Sequence, residues 1–490
     1  MKLLLSLIFF CAITSLSCAQ SITWEKQYHY GQNSSVRCAV ETADSGYLVP
    51  ANVLVNNVYQ IWMLKVSKYG HVVWRKYIAD GYDEYSFVKR DKGIYSLVLY
   101  QIKTDPVTNL SIDGMNIFEF NENGDLIWQQ NHWDDIDIFA PNTLFPLNHG
   151  SYVLISYLYG HVKNTSDYPP IDMLVQRYNS SHQLVWSDTF DFIKQPQRET
   201  GSKSILMTHD KKLLIAGNAG PGNSIQCFSY MLLLDTNGKT LNYVPFSYDQ
   251  DSSEFMDYVT QLEDGKIVTE SATWSWSDTY ITLCDSVGNV LKSYTAGGQF
   301  PHGTGGFAAD ADSFMLFASV GLLDGPMVLN KYDNDFNLIW SKKFDDTVSY
   351  DNTASQIFRT SDGGLLLVGN RQVDASNNPD MVLIKLDAQG NLAHVDYSGI
   401  DAPNGANSSS CDMVFPNPAQ GWIRIGQQPS SLPKEQTLEI YDAKGARVFQ
   451  SRNTFTSLKK QDISFLNKGL YMYRLFDENG EVCNGRFMKE

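Results

Sequence analysis

Asn121-Glu122-Asn123-Gly124-Asp125-Leu126-Ile127-Trp128 sets the architecture of this chain, because altered copies of it recur along the sequence. The stretch reads as the end of one strand, a tight Asn-x-x-Gly turn and the start of the next strand. Aligned copies put the turn residue at Gly70, Gly124, His182, Gly238, Gly288, Phe336 and Gly390, at spacings between 48 and 58 residues. Three residues earlier stand Ser67, Asn121, Asn179, Asp235, Asp285, Asp333 and Asp387. Their short polar side chains can bond the local backbone and so favour turns. Seven residues earlier stand Met63, Ile117, Val175, Met231, Ile281, Leu329 and Leu383, all apolar. Four residues later stand Trp74, Trp128, Trp186, Asn242, Lys292, Trp340 and His394.

A second hairpin precedes each of these. Its clearest copies are Thr360-Ser361-Asp362-Gly363-Gly364-Leu365-Leu366-Leu367-Val368-Gly369 and Thr42-Ala43-Asp44-Ser45-Gly46-Tyr47-Leu48-Val49. Four strands per unit at a period near fifty predict an all-β, seven-bladed β-propeller over residues 20–400. The strand before the turn is apolar on both faces, as in Tyr230-Met231-Leu232-Leu233-Leu234, which suits a strand sandwiched between blades. Ile22, Trp24 and Tyr28 carry the fourth-strand pattern ahead of the first unit. Residues 22–28 are therefore expected to complete the last blade and close the ring. The hairpin around Leu438–Phe449 offers an eighth blade. Against it stand a Pro/Gly/Asn/Ser-rich linker at 401–410 and the lack of a preceding Asp-Gly-Gly hairpin.

The connections between the second and third strands read as long, over 101–114, 159–171, 217–229, 270–279 and 371–380. They leave on the same face as the blade connectors, which carry Asp80, Asp83, Glu84, Asp134, Asp135, Asp137, Asp249, Asp251, Glu254, Asp345, Asp346 and Asp351. One face is thus elaborated and acidic, where binding usually sits. Trp274, Trp276, Tyr159 and Tyr168 are candidates to stack on sugar rings or partner side chains, against the plainer reading that they cap neighbouring loops. Asp134, Asp135, Asp249 and Asp251 offer oxygen ligands to calcium or a counter-charge to a basic partner, against simple solvated charge.

The Gly-x-x-x-Trp element resembles the tryptophan-docking repeat of quinoprotein dehydrogenase propellers. There the Trp pins each outer strand to the next blade and does not touch the cofactor. The resemblance is structural, and no quinone site is read here. Sialidase Asp boxes place the aromatic three residues after the Gly rather than four, so that resemblance fails. Asp333-Asn334-Asp335-Phe336-Asn337 opens like a calcium loop but lacks the Gly and distal Glu, and reads as a turn. No nucleophile elbow, HExxH, P-loop or GxGxxG at a strand–helix junction is present. The nine His are scattered and read as structural or solvated. No catalytic, cofactor-binding or metal residue is assigned, and the balance leans away from an enzyme.

Of 490 residues, 43% are apolar and 13% aromatic, with 27 Tyr and 10 Trp, a composition that favours strands. A net charge of −16 argues against nucleic acid and against anionic lipid. Lys2, the apolar run from Leu3 to Ile13 and the small Ser17 and Ala19 predict a signal peptide over residues 1–19. No second apolar run is long enough for a membrane span. Seven Cys fall to five after cleavage; Cys38 and Cys284 read as buried thiols in strands, and Cys411 and Cys483 are a candidate pair.

The tail from Cys411 to Glu490 runs through Pro416-Asn417-Pro418, Leu438-Glu439-Ile440-Tyr441-Asp442, Gly469-Leu470-Tyr471 and finally Arg486 and Lys489. This order resembles the type A C-terminal sorting domain of the type IX secretion system of certain Gram-negative bacteria. The resemblance implies a small β-sandwich at 411–490, recognised by the secretion machinery. It also implies passage through the periplasm and a secreted or outer-surface destination. For the body, the expectation is a non-catalytic module binding glycan or a surface protein; the alternative is a secreted propeller enzyme acting on polysaccharide or peptide.

Overall fold

The structure is a computed structural model. It describes residues 22–30, 33–81, 83–91, 93–104, 111–132, 138–159, 171–192, 199–220, 227–246, 254–273, 279–295, 304–310, 313–319, 326–344, 352–372, 379–392, 413–415, 419–426, 435–442, 446–454, 460–477 and 480–489. Two compact units divide the chain, residues 1–395 and 396–490.

The first unit is a ring of seven four-stranded antiparallel blades among the described residues. They span 33–80, 83–132, 138–190, 199–246, 254–295, 304–344 and 352–386, the last completed by 24–28. First strands of neighbouring blades touch one another, so they line the ring's axis. Closure follows the expected route. Trp24–Tyr28 pairs antiparallel with Pro379–Leu386, from Trp24 opposite Lys385 to Tyr28 opposite Met381. Between the last blade and the first, the Asn370 amide accepts from Val36 N at 2.7 Å and donates to Val36 O at 3.0 Å. Gln356 accepts from Ala39 N at 2.8 Å.

All seven turn residues adopt the left-handed conformation, with φ from 61° at His182 to 96° at Gly288. The residue three earlier locks each turn in one way. Asn121 Oδ1, for example, accepts from Asn123 N and Asp125 N, both at 2.9 Å, and Asp387 Oδ1 does the same with Gln389 and Asn391. Ser67 replaces the carboxamide with a hydroxyl and keeps both bonds.

The residue four after the turn reaches the turn of the next blade, and the two positions match each other. Trp24, Trp74, Trp186 and Trp340 lie against Gly70, Gly124, Gly238 and Gly390, where a Cβ would overlap the indole. His182 fills the glycine slot in the third blade and stacks on Trp128, ring centroids 3.5 Å apart and planes 4° apart. Where the slot holds Phe336, the partner is Lys292, its ammonium 5.5 Å from the ring centroid. Asn242 instead donates to Val287 O at 2.7 Å. Trp24 from the closing strand supplies this contact at the turn of the first blade, against Gly70; His394 lies outside the described residues.

His182 has a consequence for acid stability. Burial, and then the Arg90 charge, push its imidazole down to about 4 from an ordinary 6.5. Between these values the unfolded chain binds a proton that the folded chain refuses, so stability falls as pH drops through that window. His182→Gly restores the residue the repeat uses elsewhere. Its melting temperature is expected to fall less between pH 7 and pH 4.5 than that of the wild type. An unchanged acid slope would remove His182 from the account.

Several expectations need correction. The second and third strands run further than expected, to Thr104, Gly220, Thr273 and Gln372, with new strands from Ser111 and Pro379, so the connections are shorter. The first blade has no long connection there: Asn56 and Asn57, at φ 52° and 63°, form a two-residue hairpin turn. Asp80, Asp83, Glu84 and Glu254 lie in strands, not connectors. Cys38 falls between the strands Asn33–Ser35 and Val40–Glu41 and is only half-buried; Cys284 is buried, its thiol pushed up to about 12 by burial.

The second unit contains no eighth blade. Glu435–Asp442 and Arg447–Thr454 form the expected hairpin, but it belongs to a four-stranded sheet with Gly469–Asp477 and Gly480–Lys489. A three-stranded sheet of Met413–Phe415, Trp422–Gly426 and Gln461–Asp462 completes the sandwich. One core holds it, with Ala419, Ile423, Leu438, Ile440, Ile463, Tyr473 and Phe487 each at most 1% exposed. Cys411, and the side chain of Cys483, lie outside what the structure describes.

Candidate functional site

In six of the seven blades the two ends differ. At one end both hairpins close in short turns fixed by their own side chains, as at Thr42-x-Asp44, where Asp44 accepts from Thr42 at 2.6 Å and from Gly46 N at 3.0 Å. At the other end lie the segments 105–110, 160–170, 221–226, 274–278, 320–325 and 373–378, between second and third strands. Trp274, Trp276, Tyr168, Asp134, Asp135, Asp249 and Asp251 lie outside the described residues, so the structure does not bring the expected face together. Tyr159 ends the strand Tyr152–Tyr159, opposite Ile171, at the expected end of its blade. In the tail, Pro416, Asn417 and Pro418 also lie outside. Gly469, Leu470 and Tyr471 sit opposite Lys489, Met488 and Phe487 on the terminal strand, and Met472 opposite Arg486. Arg486 is exposed, whereas Lys489 is buried, at 8% exposure.

A different constellation, not anticipated from sequence, lies by the axis. Seven second-strand residues pair with the apolar position seven before each turn: Pro50, Val98, Ile155, Ala216, Glu270, Phe317 and Val368. Six are apolar and one is Glu270, which is 1% exposed. Burying a carboxylate is costly unless it is hydrogen-bonded or paired, and the other six blades place none at this position. Its first-strand partner is Tyr258, where other blades place Ser86, Thr143, Ser204, Gly306 or Gln356. The next blade makes room for the Tyr ring. Gly306, at φ 100°, would place a Cβ 3.2 Å from it, so a side chain there would crowd Tyr258.

Burial pushes the Tyr258 hydroxyl well up, with Asp257 and then Glu270 acting in the same direction and Arg37 opposing. Tyr258 therefore stays a protonated donor at neutral pH. Asp257 occupies the bulge between Met256 and Tyr258, and exposed Arg37 comes from the segment between the strands Asn33–Ser35 and Val40–Glu41 of the first blade. Two carboxylates and a guanidinium from another part of the ring thus all act on the Tyr258 hydroxyl. The set can bind hydroxyl-rich or charged groups, and a buried acid beside a phenol can move a proton. The signal in the sequence was the acid inside Ile267-Val268-Thr269-Glu270-Ser271-Ala272, visible once the blades are in register.

Among the described residues no three His, Cys, Asp or Glu side chains gather as a metal site. The acids considered for calcium lie outside them. No helix among the described residues is long and apolar enough to cross a membrane.

Residues 413–489 match the secretion system C-terminal sorting domain. The chain is therefore exported through the type IX system, to a secreted or outer-surface destination. No curated protein matches it. Among solved structures it is similar to the polysaccharide lyase Uly1, at 10% identity and TM-score 0.49, over 74% of this chain and 92% of that one. It is also similar to an α-L-arabinanase of Penicillium chrysogenum complexed with arabinobiose, at 10% identity and TM-score 0.40, over 75% and 97%. A third is a Trypanosoma rangeli sialidase mutant displaying trans-sialidase activity, at 9% identity and TM-score 0.41, over 95% and 88%. Those activities belong to those proteins.

Proposed function

We propose that the exported propeller is a non-catalytic binding module that takes a glycan or a surface protein at the end of the ring where the second-to-third-strand segments leave. The observation that supports this is the asymmetry of the blades. Length and sequence vary at one end, while the other is fixed by repeated, self-bonded turns. Variable segments on a rigid ring are where recognition is usually built. The test is a glycan array and a surface-protein pull-down with the exported form. Trp274→Ala with Trp276→Ala is expected to weaken binding roughly tenfold or more, as loss of aromatic anchors does. Undiminished binding would remove the aromatic face from the proposal.

The buried Glu270 beside Tyr258 favours one alternative, a secreted propeller enzyme acting on polysaccharide or peptide. Glu270→Gln keeps the shape and removes the proton-accepting group. A binding module should keep its affinity within a few-fold. An enzyme should lose about 10²-fold or more of its turnover, the typical contribution of an acid–base group. Product release from polysaccharide and peptide libraries, compared between wild type and variant, separates the two.

A further inference from the structure

The sorting unit has one face that its own core does not use. In its four-stranded sheet, strands 447–454, 435–442, 469–477 and 480–489 lie side by side in that order. Leu438, Ile440, Tyr471, Tyr473 and Phe487 point into the core. Alternation along a strand then turns Leu470, Met472, Arg474, Arg486 and Met488 outward. Leu470 and Met488 face each other in register and are 41% and 42% exposed. Met472 faces exposed Arg486, and exposed Arg474 lies beyond. Among the described side chains of this face Glu439 is the one acid; Arg447 at 2.6 Å and Tyr441 at 2.5 Å hold it, and the Arg474 charge acts on it as well, so Arg486 is the arginine it does not engage. An apolar pair flanked by arginines therefore stands out on a chain whose net charge is −16.

We propose that this outward face, centred on Leu470 and Met488 with Arg474 and Arg486 beside them, is the surface by which the export machinery grips the tail. The proposal rests on residues 413–489 acting as the export signal. The partner it fits is a machinery component with an apolar cleft rimmed by carboxylates. Burial of the Leu470–Met488 pair would supply non-directional attraction, and the arginines would fix orientation through charge. The motif segment Gly469-Leu470-Tyr471 then has two jobs on alternate residues: Tyr471 stacks on Phe487 at 5.6 Å inside, and Leu470 is offered outside.

The test uses the full chain in a host carrying this secretion system, reading the fraction that reaches the surface or medium against the fraction held in the periplasm. Leu470→Ser with Met488→Ser, and separately Arg486→Glu, are compared with deletion of 413–489 and with Phe465→Ser. Phe465 is 54% exposed in the same unit but outside this sheet. Both face variants are expected to lower the exported fraction about tenfold, as loss of an interface anchor does, with thermal melts of the full chain unchanged. Phe465→Ser should export normally. Should the double variant prove to unfold, the exposed Arg486→Glu decides alone. Normal export of the face variants while the deletion is retained overturns the proposal and leaves the tail as the signal. Export of the deletion itself overturns both.

Discussion

Removal of residues 20–28 is expected to abolish the cooperative melt of the propeller or lower its midpoint by on the order of 10 °C or more. Trp24 and Tyr28 are 7% and 8% exposed, and burying side chains of that size contributes roughly 1.5–3 kcal/mol each. Their polar ends are used too. Trp24 Nε1 donates to Lys68 O at 2.7 Å and the Tyr28 hydroxyl to Gly70 O at 3.0 Å, so each side chain ties the last blade to the first. Gln27 donates to Asp380 at 2.7 Å, and Glu25 accepts from Arg371 at 2.7 Å. A stability of about 5–15 kcal/mol does not survive the loss of all of these intact. Without the strand, the apolar Met381-Val382-Leu383-Ile384 becomes a bare edge and a template for aggregation. Inserting residues 23–28 after Leu392 of the truncated chain should restore the melt, because it supplies the same strand from the other end with Trp24 again opposite Lys385. An unaltered melt in the truncated protein would show that the ring does not depend on this seam.

The sequence carried the parts of the fold that obey local backbone rules. A tight turn needs a left-handed residue and a short side chain to bond its amides, so seven copies stayed recognisable even where His182 and Phe336 replaced glycine. The closing strand was legible because Trp24 must meet the same turn geometry as Trp74. The limits of the strands were less legible. Asn218 read as a loop residue, yet it stays in a strand because its carboxamide accepts from Met256 N of the next blade at 2.7 Å, as Asn370 does from Val36 N at 2.7 Å. The axial set was hidden for another reason. Arg37 lies far along the chain from Tyr258 and Glu270, and only the register of the blades reveals Glu270 as an acid in an apolar slot.

Arg90→Met is expected to destabilise the propeller by about 3–5 kcal/mol, the typical effect of leaving a buried charge without its partner. Arg90 and Glu119 are each 3% exposed, with Arg90 Nη1 2.6 Å from Glu119 Oε1. Ser96 donates to the same oxygen at 2.9 Å, and His182 of the next blade lies 3.2 Å from Arg90 Nη1 and 3.4 Å from Glu119 Oε2. The guanidinium also lies over the Tyr152 ring at 5.3 Å. Burial already holds the Glu119 carboxyl above its ordinary value, with Arg90 and then Ser96 opposing the rise. Without Arg90 that rise grows, and the folded state binds a proton at pH values where the unfolded chain has released it. Stability of Arg90→Met should therefore fall as pH rises, and its melting temperature should recover between pH 7 and pH 5. His182 acts in the same sense, since removing the neighbouring cation lets it protonate more readily beside Glu119. Arg90→Met combined with Glu119→Leu removes both charges and is expected to regain most of the loss and the pH dependence with it, as apolar replacement of a buried ion pair often does. A double variant as unstable as the single one would mean that Arg90 holds the second and third blades by packing on Tyr152 rather than by neutralising Glu119.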